Sequence, residues 1–154
     1  MFDTNQYKAN QLRGWDSVAH GWQTWGEVFD ASMQPVSDLM MRLAQVQPGQ
    51  TVLDIATGTG EPGLTAARAV GPTGRVVLTD QAPHMLAIAR ARATTLGLHQ
   101  TEFLEVDAEA ASFEEATFDA TLPLSGVTPG NHTIEIVATV NGKSLRREVP
   151  ITIR

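Results

Sequence analysis

Apolar positions follow three different rhythms along this 154-residue chain. From Trp15 to Phe29 they recur at mixed three- and four-residue steps (Trp15, Val18, Trp22, Trp25, Phe29), which marks one face of a helix. Val36, Leu39, Met40, Leu43 and Val46 continue this spacing from Pro35 onward. They predict an amphipathic helix that stops at Pro48-Gly49. After Thr51 the pattern changes to short apolar runs separated by Ala-rich segments. TVLDIA, RVVLT, TEFLEV and TFDATLPL predict four strands. EPGLTAARAV, with Pro62 near its first turn, and PHMLAIARARATTLG, ended by Gly97, predict the helices between the first three. Alternating strands and helices imply right-handed crossovers and a parallel, doubly wound sheet. The tail has a period of two, with Ile134, Ile136, Ala138 and Val140 on one side. Leu145, Val149, Ile151 and Ile153 continue that face beyond Asn141-Gly142, interrupted by Arg147. Asn-Gly between such runs predicts a type I′ hairpin, and Pro150, lacking an N–H, marks the return strand as an edge.

In open α/β sheets ligands bind outside the carboxyl ends of the strands, so Gly58 to Gly63, Asp80 and Asp107 are the positions of interest. Gly58, Gly60 and Gly63 have the spacing G-x-G-x-x-G, a dinucleotide fingerprint if taken alone. Glycines let the backbone approach a ligand, and the following helix offers unpaired N–H groups. Asp54 and Glu61 place negative charge beside that anion site. They suit a ligand that carries a cation as well as a carboxylate. Asp80, 20 residues beyond Gly60, stands where an acid can accept from ribose hydroxyls. That feature is common to nicotinamide and S-adenosylmethionine sites. The plainer alternatives are that Asp80 caps the helix near Pro83, Asp107 is a turn acid and Glu61 serves the helix dipole.

Composition narrows the class. A formal net charge of −6 argues against nucleic acid as a partner. The chain has no cysteine and its four histidines are scattered, so no metal site is expected. There is no apolar run of about 18 residues and no basic-then-apolar leader, which predicts neither a membrane span nor export. Residues 1–120 carry 7 basic and 15 acidic side chains, whereas residues 121–154 carry 4 and 2. The change of sign coincides with the change of period and predicts a junction.

Three segments at consistent spacing, VLDIATGTGEPGLTAA, VVLTDQAPHMLAIARARA and FLEVDAEAASFEEATFDA, resemble the class I S-adenosylmethionine-dependent methyltransferases. The nearest branch is that of the ubiquinone and menaquinone C-methyltransferases, and WDSVAHGWQTW resembles its N-terminal helix. The resemblance spans about residues 7–120. It implies a Rossmann-like three-layer α/β fold with N-terminal helices and S-adenosylmethionine as cofactor. It further implies that Asp54 and the backbone of Ala56, Thr57, Gly58, Thr59 and Gly60 surround the methionine part. Asp80 would hold the ribose, Gln81 and Met85 would border the adenosine, and Asp107 with Ala108 would meet the adenine. Tyr7, Trp15, Trp22 and Trp25 are candidates for an acceptor-pocket roof, although helical aromatics more often form core. His20 is the histidine placed to act as a base, against the plainer reading of a surface histidine. No catalytic residue is assigned.

After Asp119-Ala120 the family pattern is expected to continue, but residues 121–154 resemble the last two strands of a bacterial immunoglobulin-like or fibronectin-like module. The chain therefore reads as an N-terminal helical segment (1–48), a cofactor-binding half (49–120) and a hairpin tail of different origin (121–154). The methyltransferase fold would be truncated and its sheet edge completed by the hairpin. On this reading the acceptor site is replaced, and either residual methyl transfer to a small molecule or a non-catalytic fold follows. An unrelated activity in a re-formed cleft is a further alternative. A homodimer through the hairpin or sheet edge and a cytoplasmic location complete the expectations.

Overall fold

The computed structural model describes residues 4–108, 111–113, 117–123, 130–140 and 143–153. Two long helices, α1 (Thr4–Thr24) and α2 (Gly26–Leu43), precede β1 (Thr51–Ile55), α3 (Gly63–Val70), β2 (Arg75–Asp80), α4 (Pro83–Thr95) and β3 (Thr101–Glu105). β4 (Ala120–Pro123) follows, then β5 (Gly130–Val140) and β6 (Lys143–Ile153). The first four strands form a parallel sheet in the order β3-β2-β1-β4. The chain steps outward from β1 to β3 and then returns to the other side of β1. β1 and β4 therefore flank the topological switch point, where ligands of such sheets bind. Both crossovers step the same way, so right-handed connections put α3 and α4 on one face. This is the α/β fold expected of a methyltransferase.

The near-continuous apolar runs of β1 and β2 are explained by burial of both strands: Val52, Leu53, Val76, Val77 and Leu78 are all inaccessible to solvent or nearly so. Leu64, Ala66, Ala67 and Val70 of α3 and Ala93 of α4 pack onto them, and Met40, Met41 and Ala44 extend the same cluster from α2. A smaller cluster of Ala19, Ala82 and Met85, with Leu12, Trp22 and Ile88 around it, joins α1 to α4.

The helix boundaries differ from expectation. The break falls at Trp25 rather than at Pro35, which lies inside α2. Proline removes one rung but its fixed φ suits a helix, and buried Ser37, Met40 and Met41 hold the turns that follow. Gly26, a poor helix former, begins α2 without a side-chain cap, and Thr24 donates its hydroxyl back to the His20 carbonyl as α1 ends. α2 also stops earlier than Pro48, because Gln45 takes φ 52. Val46 is thus outside the helix yet still packs on the core.

β5 and β6 pair antiparallel, with Ile134 opposite Val149, Ile136 opposite Arg147 and Ala138 opposite Leu145. The Asn141-Gly142 turn lies outside the described residues. Among the described residues the ribbon is a sheet of its own, and no ladder joins it to β4. The expected completion of the sheet edge by the hairpin runs through residues 124–129, which lie outside the described residues, and it stays a proposal. β4 is only four residues long and ends in Pro123, which has no N–H to offer a new neighbour.

Candidate functional site

The turn leaving β1 is built from left-handed residues: Ala56 at φ 60, Gly58 at φ 56 and Gly60 at φ 115. Such backbone is free of strain only at glycine, so the loop needs external ties. Thr57 N–H donates to the Thr79 carbonyl at 2.9 Å and Gly60 N–H to the Thr57 carbonyl at 2.9 Å. Gly58 N–H donates to Asp80 Oδ2 at 2.8 Å. The carboxylate at the end of β2 thus holds the middle of the loop. Its other oxygen accepts from Ala82 N–H at 2.9 Å, a local turn two residues on. The cap of α4 comes instead from α1: Asp16 Oδ1 accepts from His84 N–H at 2.9 Å, and Asp16 Oδ2 lies 2.5 Å from His84 Nδ1.

Asp54 lies beneath the loop, fully buried. Its Oδ2 accepts from Thr57 Oγ1 at 2.5 Å, and among the described residues its Oδ1 has no partner. Burial pushes this carboxyl up to about 7 from 3.8, although the Thr57 hydroxyl and Gly63 N–H favour the ionised form. Nearby Glu61 and Asp80 raise it further. Glu61 itself serves the start of α3: it accepts from Thr65 Oγ1 at 2.7 Å and faces Arg68 at 3.5 Å.

The ends of β2 and β3 open into a cavity of about 290 Å³ lined by Gln81, Glu105, Val106 and Asp107 on the sheet side and by Lys8, Ala9 and Leu12 of α1. Lys8 Nζ pairs with Asp107 Oδ2 at 2.9 Å across its mouth. Met85 is buried against α1 rather than facing open space, and Ala108 is exposed in the turn after β3. The sequence-derived residues thus fall into two groups: the Ala56–Gly60 loop with Asp54 and Asp80, and the Gln81–Asp107 cavity. Of the aromatics, Tyr7, Trp15 and Trp25 are exposed, while Trp22 packs between Trp15 (6.5 Å between ring centres) and Phe29 (4.4 Å). His20 is exposed beside an open groove between α1 and α4, with Arg13, Asp16 and His84. Among the described residues no cluster has the makings of a metal site, and no helix is long and apolar enough to cross a membrane.

Lys8, Asp16, Asp30 and Arg92 were not legible as site residues. Arg92 Nη1 donates to the Thr59 carbonyl at 2.8 Å while Nη2 binds Asp30 of α2. The partners are 33 to 99 residues apart in sequence, and a charged residue on a helix face carries no local signal of such a tie. The Asp16–His84 contact has a pH signature. The His84 N–H, then its ring, hold the Asp16 carboxyl below its ordinary 3.8. Its stabilising contribution is complete above 3.8 and is lost as pH falls through the lowered value. Proteolysis within α1 is therefore expected to accelerate below about pH 4 in the wild type, while Asp16→Asn shows the faster rate already at pH 6.

The model of the ubiE/COQ5 methyltransferase family matches residues 15–127. A ubiquinone/menaquinone biosynthesis C-methyltransferase UbiE of Ectopseudomonas oleovorans is 33% identical over 126 residues, covering 80% of this chain and 74% of that protein. The demethylmenaquinone methyltransferase of Bacillus cytotoxicus is 39% identical over 79 residues, 51% of this chain and 33% of that one. The chain spans between a third and a half of the length of most of the curated relatives it matches. Among solved structures, a SAM-dependent methyltransferase from Aquifex aeolicus superposes with a TM-score of 0.51 at 26% identity, covering 55% of this chain and 45% of that one. With the family model covering the second half of α1, all of α2 to α4, the glycine loop and all four parallel strands, this chain belongs to the ubiE/COQ5 methyltransferase family.

Proposed function

We propose that the chain binds S-adenosylmethionine across the carboxyl ends of β1, β2 and β3, with methyl transfer to a small molecule as its activity. The carrying observation is the left-handed loop pinned to Asp80 through Gly58 N–H, with the buried Asp54 carboxylate beneath it. A pyrophosphate there would face Asp54, Glu61 and Asp80 together, whereas a ligand with an ammonium and a sulfonium gains from them. The residues fit that group in two further respects. A Cβ at Gly58 would meet open space, so the loop has an approachable face. Asp54 Oδ1 is buried without a partner among the described residues, leaving an unsatisfied polar atom below the loop.

Asp54 and the Ala56–Gly60 backbone take the methionine part in this reading, and Asp80 the ribose. Gln81, Met85, Asp107 and Ala108 take the adenosine end, supported by the cavity that Gln81 and Asp107 share. S-adenosylmethionine supplies a methyl group on an already activated sulfonium. The protein's part is then alignment and exclusion of water, a role that suits α1 lying over the cavity.

The division into 1–48, 49–120 and 121–154 belongs to the same proposal, with a tail of immunoglobulin-like origin replacing the acceptor half. Its support is the end of the family match at residue 127, seven residues past the proposed boundary so that β4 goes with the methyltransferase part, and the separate β5–β6 sheet. A non-catalytic, cofactor-binding fold is the second reading, favoured by the same two observations. A cytoplasmic location and self-association through the hairpin or sheet edge go with both. Calorimetric titration with S-adenosylmethionine and S-adenosylhomocysteine tests the site. Saturable binding is expected, with Asp80→Ala weakening it roughly tenfold or more because the loop loses a charge-assisted bond. A folded wild type that binds neither ligand would refute the proposal.

A further inference from the structure

The glycine loop is held on two sides. Asp80 takes Gly58 N–H, and on the far side the Arg92 guanidinium reaches across from α4. Nη1 donates to the Thr59 carbonyl at 2.8 Å and approaches Thr59 Oγ1 at 3.4 Å. Nη2 binds Asp30 Oδ2 of α2, and Glu61 Oε1 lies 3.9 Å from the same nitrogen. The Arg92 side chain is only 23% exposed and that of Glu61 14%, so water screens this cluster incompletely. The Thr59–Gly60 peptide is planar, and its C=O and N–H point in opposite directions. Holding that carbonyl toward α4 therefore aims Gly60 N–H at the Thr57 carbonyl, the bond that closes the turn. A rigid fork can serve the loop and α2 together, whereas an ammonium cannot reproduce its geometry.

We infer that Arg92 is a positioning residue that ties the cofactor loop to the N-terminal helices, making cofactor affinity depend on Asp30 of α2. The inference rests on the cofactor reading above. Asp30 is 62 residues from Arg92 in sequence and belongs to neither group of cofactor-site residues. Through Arg92, the docking of α2 sets the conformation of a loop it does not itself form.

The test uses the full chain and three variants: Arg92→Lys, Asp30→Asn and the double. S-adenosylhomocysteine affinity is measured by calorimetry and amide hydrogen exchange by mass spectrometry. Arg92→Lys is expected to weaken binding roughly three- to tenfold and Asp30→Asn roughly threefold, the double being no worse than Arg92→Lys. Exchange in the peptide containing Ala56 to Gly60 rises in both single variants, while that of β1 and β2 stays unchanged. Wild-type affinity in Arg92→Lys, or losses that simply multiply in the double, would overturn the coupling. If the wild type binds no cofactor, the reading of the site falls and the affinity claim with it. The exchange arm then still decides the tie: unchanged exchange at the loop in Arg92→Lys would refute it, and faster exchange would uphold it.

Discussion

Replacing Gly63 by alanine should cost about 3 kcal/mol and lower the thermal midpoint by roughly 6–12 °C. A Cβ built at this position would sit 2.5 Å from Asp54 Oδ2 and 2.7 Å from Leu78 Cδ2. Neither neighbour can give way. Leu78 is fully buried in the centre of β2, and Asp54 is held by the Thr57 hydroxyl at the end of β1. The added methyl would push α3 off the sheet just where its first N–H reaches the buried carboxyl. Gly58→Ala is the informative contrast. Its Cβ meets nothing within 4 Å, so only the cost of a left-handed residue at φ 56 remains, about 1–2 kcal/mol. Thermal unfolding followed by circular dichroism separates the two. Should Gly63→Ala melt within about 2 °C of the wild type, less than 1 kcal/mol would be at stake and the close-packing role assigned to Gly63 would be wrong.

The G-x-G-x-x-G spacing thus mixes two roles that the sequence does not distinguish. Gly58 gives the loop an open face, whereas Gly63 lets a helix touch a strand. What was legible followed from local physics: apolar runs and helical periods located β1 to β4, α3 and α4 within a few residues. The position of Asp80 at the end of β2 pointed to the strand ends from the sequence alone. The α1–α2 break at Trp25 was not legible, because Pro35 is the stronger local signal and its tolerance depends on tertiary burial of Ser37, Met40 and Met41. Lys8–Asp107, Asp16–His84 and Asp30–Arg92 escaped for a related reason. Each joins an N-terminal helix to a distant part of the chain, and nothing in either partner's own neighbourhood announces the other.

Asp54→Asn is expected to raise stability at pH 8 while weakening cofactor binding roughly tenfold or more. In the folded wild type the carboxyl keeps its proton up to about pH 7, whereas the unfolded chain releases it near 3.8. Below 3.8 both states are protonated and the site's contribution to stability is complete. As pH rises from there to about 7 the unfolded state gains by ionising first, so that contribution is progressively lost. The gap corresponds to about 4 kcal/mol between pH 4 and 7. Asparagine cannot ionise and loses that slope, although its amide, placed where Oδ1 has no partner, costs about 1–3 kcal/mol. The variant should therefore melt above the wild type at pH 8, with the gap narrowing and reversing toward pH 4. Asp16 does not confuse the comparison, because its carboxyl titrates below 3.8, under this window. Parallel melting curves for the two proteins from pH 4 to 8 would show that the buried carboxyl is not held near 7. A charge that weakens the fold at working pH is of no use to a bare scaffold, whereas a site for a cationic ligand needs it. Lower stability together with tighter binding in the wild type at pH 8 would therefore favour a working cofactor site over a relic of one.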